Sequence, residues 1–202
     1  MIHLLAFACS SEPATPPAPP VAPPPVEVAP PAPPVQAQQN TPWAIDAAAT
    51  TVTASAHKVI GGHDLAFPGA TGSVAIGTAD GALVGLDVTV PIATLTTDAA
   101  KLTAHLITPD FFDAAAMPTA TFHATSVTGA APAYTVVGDL TIHGKTKSVT
   151  FPATANVSAG VLTATAEVLL DRKDFDLVYP GKPDNLIQDG VELKVSLVAK
   201  AP

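Results

Sequence analysis

From Trp43 to Lys200, apolar and polar residues alternate in short runs broken by Gly, Pro and Asp, and this two-residue period constrains the fold more than any other feature. Successive side chains of a strand point to opposite faces, so the period fits strands with one buried face and no helix can sustain it. The runs predict strands at 43–46, 50–60, 71–78, 82–92, 120–128, 133–143, 147–157, 161–171 and 190–200. Val191, Leu193, Val195 and Leu197 face one way, against Glu192, Lys194 and Ser196. Leu86, Val88 and Val90 similarly oppose Asp87 and Thr89. So many short strands between turn signals predict an all-β sandwich or barrel. Residues 96–117 break the rhythm and predict one short helix at about 97–106, followed by an Asp-Phe-Phe turn. Stretches 62–70 and 172–189 are expected as loops over a barrel mouth.

The inward sets are small. Val149, Phe151, Ala153 and Ala155 alternate with Ser148, Thr150 and Thr154, and Ala164, Ala166 and Val168 alternate with Thr163, Thr165 and Glu167. An eight-stranded barrel is just wide enough for side chains to fill or for one small ligand to enter. Ala and Val linings favour the second outcome; tighter packing without a cavity is the alternative. The candidate lining runs from Leu86, Val88 and Val90 to Phe112 and Phe122, then Leu140 and Ile142. Phe151, Ala153, Ala164, Ala166, Val168, Leu193 and Val195 complete it.

Ahead of the strands, residues 10–42 are Pro- and Ala-rich and predict a disordered, semi-stiff spacer without a core. Residues 1–9, MIHLLAFAC, resemble the end of a signal peptide with a bacterial lipobox, which makes Cys9 a candidate for lipidation and membrane anchoring. Ala6 stands where Leu is usual, and no Lys or Arg precedes the apolar run, which suggests a start upstream of Met1. Cys9 is the single cysteine, so no intramolecular disulfide can form. The formal net charge of −8 argues against nucleic acid, which needs clustered Lys and Arg; all nine basic residues lie beyond Trp43.

Chemistry-bearing residues are sparse. His57, His63, His105, His123 and His143 lie in the β-rich part, but none has the close spacing of metal ligands on one element. His57 and His63 flank the Gly61-Gly62 turn and are the one pair suited to a metal or a ligand headgroup. Arg172 sits among Asp171, Lys173, Asp174 and Asp176; its guanidinium could meet a headgroup or fix a turn by pairing with Asp110 or Asp113. No catalytic triad context, H-E-x-x-H or P-loop pattern occurs, so neither catalysis nor a metal or cofactor is expected.

Four ordered motifs carry a resemblance. Trp43-Ala44-Ile45-Asp46 resembles W-x-I-D, and HLITPDFFDAAAMPTATF at 105–122 resembles H-L-x-x-x-D-F-F-D-x-x-x-x-P-x-x-x-F. GDLTIHGKTKSVTF at 138–151 supplies Gly138, Leu140, Gly144, Lys147 and Val149 of a third motif, and Asp171, Arg172 and Phe175 match a late arginine motif. Together they resemble the bacterial YceI-like domain over residues 43–200. The resemblance implies an extended eight-stranded antiparallel lipocalin-like barrel with a helix beside it, spanning 43–202. It also implies an apolar tunnel for a polyisoprenoid or similar lipid, such as a quinone tail, and a place in the bacterial cell envelope. Expected partners are that lipid, a membrane through the anchor, and a second copy of the chain. The segment SAHKVIGGH at 55–63 departs from the family's usual opening and marks a distinct branch. A filled barrel acting as an envelope interaction module is the alternative.

Overall fold

The structure, a computed structural model, describes residues 40–183 and 185–202. The leader 1–9 with Cys9, and the spacer as far as residue 39, lie outside the described residues. The first strands are β1 (Asn40–Ile45), β2 (Thr51–Lys58), β3 (Gly62–Ala66), β4 (Thr71–Gly77) and β5 (Leu83–Pro91). The two-residue β6 (Thr96–Thr97) precedes α1 (Ala100–Leu106), the one α-helix among the described residues. Long strands follow: β7 (Thr119–Ala130), β8 (Ala133–Ile142), β9 (Lys145–Ser158) and β10 (Val161–Asp171). Short β11 (Gly181–Lys182) leads into β12 (Asn185–Lys200).

Eight strands form a closed antiparallel barrel in the order β1, β4, β5, β7, β8, β9, β10, β12, with β12 returning to β1. The 16-residue β12 outruns its neighbour. Its last residues pair with β1 through Ala44↔Lys200 and Ile45↔Ala199, while Ile187 to Ser196 pair with β2. Val198 sits at the change of partner, where its backbone groups would otherwise be orphaned. The Asp46 N–H donates to the Val198 carbonyl at 2.8 Å. The Thr50 hydroxyl accepts from the Val198 N–H at 3.1 Å and donates to the same carbonyl at 3.4 Å. That double role accounts for a buried Thr50. Lys200 Nζ meets the Asp46 carboxylate at 2.6 Å beside the seam.

Packing differs along the barrel. Near the seam, Ile45, Val74, Ile76, Leu83, Tyr134, Leu162 and Leu197 make a solid plug, with Leu162 and Val74 almost wholly buried. Tyr134 spends its hydroxyl there as the acceptor of the Leu83 N–H, at 3.4 Å. At the other end α1 lays Leu106 against Leu65, Phe67, Ile92 and Phe111.

Several boundaries differ from the sequence expectation. β1 begins at Asn40, inside the expected spacer; Pro42 is accommodated because its stretch of β1 pairs on one side only, with β4. The stretch 62–70 is not simply a loop: Gly62–Ala66 form β3, paired with β2 through Ala56↔His63 and Ala54↔Leu65. The loop 172–189 is shorter than expected, because β12 starts at Asn185 and a register shift between Ile187 and Val191 hides the alternation. The helix starts at Ala100, since Thr96 and Thr97 pair with β3 instead.

Thr50→Val keeps the shape at the seam but leaves the part-buried Val198 N–H without an acceptor. It should cost about 1–3 kcal/mol in urea unfolding, and Thr50→Ser should restore most of the loss. A Thr50→Val protein as stable as the parent would show that the seam does not depend on this bond.

Candidate binding cavity

Inward-facing side chains of β9 and β10 pair small against small: Ala164 lies opposite Ala155, and Ala166 opposite Ala153. Where neighbouring strands also place Val195 and Val88 inward, the barrel stays hollow. This central lobe has a volume of about 120 Å³. Leu86, Val88, Val90, Phe122, Leu140, Phe151, Ala153, Ala164, Ala166, Val168, Leu193 and Val195 line it, together with Val52, Val136 and Leu197. A second lobe of about 140 Å³ lies towards the helix, lined by Phe112, Ile142 and Leu193 from the expected set. Leu193 lines both lobes and is their common wall. Each lobe far exceeds the roughly 10–15 Å³ that a single water needs on this measure, so each has room for several groups of that size.

The helix side of the second lobe was not anticipated. Leu102 and Leu106, four residues apart on one face of α1, line it with Phe111, Leu177, Ile187 and Val191. Their spacing was the available signal. His105 Nε2 contacts the Asp110 carboxylate at 2.9 Å, tying the helix end to the Asp-Phe-Phe turn. Phe111 then packs on Tyr179 with ring centroids 4.8 Å apart, and Phe112 meets Phe67 edge-on at 6.0 Å. Gly138 serves the wall from the other side: a Cβ there would collide with the Phe122 ring. The two sequence motifs therefore shape the container.

His57, Lys58 and His63, near the β2–β3 turn, line one edge of the second lobe, Arg172 lines it as well, and Thr121 and Thr165 line the central lobe. Lys58 was missed by the sequence analysis. Its ammonium lies 3.2 Å from His63 Nε2, and His63 Nδ1 lies 2.9 Å from the Asp98 carboxylate. An ammonium can only donate, so in this arrangement Nε2 accepts and Nδ1 carries the proton given to Asp98. His57 is exposed and has no hydrogen-bond partner among the described residues. Gly62 leaves space for it, since a Cβ at Gly62 would stand 2.8 Å from His57 Nδ1. Elsewhere, His123 pairs with Asp87 on the outer surface, and His143 Nδ1 lies 3.3 Å from the Phe175 carbonyl. Among the described residues no three His, Cys, Asp or Glu side chains converge as metal ligands.

Arg172 lines the second lobe, but of its two expected roles the structure shows the turn-fixing one, with a different partner. It is buried, and all five of its N–H donors are engaged within the chain. Nε donates to the Gln188 carbonyl, Nη1 to those of Leu177 and Tyr179, and Nη2 to Ile187 and the Asp189 carboxylate. Its acidic partner is Asp189 at 3.1 Å, not Asp110 or Asp113. The residue clasps loop 176–180 to the start of β12 and has no donor left for a ligand.

Comparison with known proteins agrees with this architecture. The model of the YceI-like domain matches residues 43–199. The chain belongs to the YceI-like domain family. Among solved structures of similar fold, BcnA of Burkholderia cenocepacia has a TM-score of 0.68 at 26% identity, over 77% of this chain and 99% of that one. A polyisoprenoid-binding domain of Saccharophagus degradans, implicated in plant cell wall breakdown, has a TM-score of 0.65 at 16% identity, over 79% and 98%. A UPF0312 protein of Photorhabdus laumondii is 41% identical over 64 residues, which is 32% of this chain. The match spans about a third (33%) of that relative's length.

Replacing Arg172 by Met should destabilise this YceI-like domain by about 2 kcal/mol or more in urea, because several buried carbonyls lose their donor. Arg172→Lys should recover only part, since one ammonium cannot span the same acceptors. The clasp also depends on pH. A hydrogen bond from Lys173 holds the Asp189 carboxyl below its ordinary value, with the Arg172 charge adding to the effect. A lowered folded value means the stabilisation is present above the unfolded value of 3.8 and is lost as pH falls through the folded one. Asp189→Asn should therefore flatten the acid limb of the stability profile; an unchanged limb would remove Asp189 from it.

Proposed function

We propose that this domain binds, without catalysis, the apolar chain of an amphiphilic lipid of polyisoprenoid type. The observation that carries the reading is a hollow, Ala- and Val-rich barrel interior with His57, Lys58 and His63 together at one edge. A chain threaded through both lobes gains about 0.8 kcal/mol per buried methylene, before the cost of ordering it. His57 and Lys58 then face the headgroup. The described ligand class of the Saccharophagus neighbour supports the same reading. A filled barrel fits less well with two lobes of about 140 and 120 Å³. With this reading goes a place in the bacterial cell envelope, the domain tethered through a lipid on Cys9 and the Pro-rich spacer.

Organic extraction of the purified protein, followed by mass spectrometry, should release a prenyl lipid, or the emptied protein should take up an added prenyl quinone. Ala166→Trp fills the central lobe from β10 and should lower the retained lipid by about tenfold or more while unfolding stays cooperative. Absence of both native lipid and uptake would overturn the proposal.

A further inference from the structure

An exposed apolar surface adjoins the rim of the cavity. Val59 and Ile60, at the tip of the β2–β3 hairpin, are 66% and 75% exposed. Leu186 and Val178 are also exposed. The backbone brings these segments together. The Val59 N–H donates to the Leu186 carbonyl at 3.1 Å, Leu186 pairs with Gly181, and the Ile187 N–H donates to the Pro180 carbonyl at 3.1 Å. Lys58, the residue before Val59, lines the cavity and pairs with Ile187 across the sheet. The exposed tip is thus continuous with the cavity rim.

The carboxylates near this rim are held by neighbours, and two lysines flank the apolar tip. The carboxylate of Asp64 is taken by the Ser55 hydroxyl at 2.7 Å, Asp98 by His63, and Asp189 by Arg172 and Lys173. Lys58 borders the apolar tip on one strand, and Lys182 is exposed beside Leu186 on the next. On a chain of net charge −8, two cations thus stand next to exposed apolar side chains. An apolar tip bordered by lysines suits the boundary between anionic headgroups and acyl chains.

We propose that the Val59–Ile60 hairpin tip, with Leu186 and Val178, docks the domain on an anionic lipid bilayer with the cavity rim facing the membrane. This rests on the lipid-binding reading for its purpose: a chain passing between bilayer and barrel then avoids water. The bilayer is favoured over a second copy of the chain because the patch adjoins the rim through which such a chain passes.

The test is co-sedimentation of the full chain, carrying Cys9→Ser to exclude an acyl anchor, with vesicles of equal parts phosphatidylglycerol and phosphatidylcholine. Val59→Ser with Ile60→Ser should lower vesicle partitioning by about tenfold or more, and Lys58→Gln should weaken it in low salt only. Leu169→Ser, on an outward-facing position of β10 that is 77% exposed, should change nothing. Uptake of a prenyl quinone by the double variant, measured without vesicles, should match the parent. Equal sedimentation of parent and double variant, or no sedimentation of either, would overturn the docking surface whether or not the quinone is bound. Loss of a parent dimer in the double variant without any vesicle binding would assign the patch to a second copy instead. If vesicle binding follows the expected pattern but no quinone enters either protein, the docking surface stands and the cavity reading falls.

Discussion

The barrel depends on one change of partner in its last strand. β12 is paired by β1 at its end and by β2 over most of its length, and between the two lies Val198. Asp46 and Thr50, on either side of the step between β1 and β2, satisfy both backbone groups of that residue. The start of the chain's folded part thereby bends without leaving a buried polar group unpaired. Asp46 also holds Lys200, so the same short segment fastens both the main chain and a side chain of β12. The W-x-I-D pattern has a structural meaning here: Ile45 enters the plug, and Asp46 supports the seam.

With the ring closed there, side-chain size decides what lies inside. Near the seam Leu, Val and Tyr fill the section; midway, facing alanines on β9 and β10 do not. Further along, α1 and its Asp-Phe-Phe turn cover one side of the second lobe with Leu and Phe. The interior therefore grades from solid to hollow along one axis, and the rim at the hollow end holds His57, Lys58 and His63. Such a gradient orients an amphiphile without any specific contact to its chain, because headgroup and tail each have one place of low energy.

Much of this was legible from alternation alone. The runs around Leu86, Ala164 and Leu193 give both the strand and the face that turns inward, because a two-residue period specifies the two together. What alternation could not show is pairing over long separations. β3 was hidden behind Gly61 and Gly62, whose composition signals a turn although Gly62 is already paired with His57. The start of β12 was hidden by a bulge. The partners of Arg172 were hidden for the same reason: its acceptors lie five to seven residues ahead and again on β12, and a charged residue whose partners are backbone carbonyls has no sequence signature. Lys58 lay in plain sight, but its place at the cavity follows only from the pairing of β2 with β12.

The seam also sets a timetable. Thr50 and Val198 are 148 positions apart, so the wall cannot be completed until the last strand has been made and has found its slot. Before then β10 and β2 present bare edges, and the sheet is a trough rather than a tube. Since β12 brings Leu193, the wall shared by both lobes, the cavity comes into existence only in that final step. An apolar molecule lying in the trough at that moment would be enclosed by folding itself, with no need to enter through the rim.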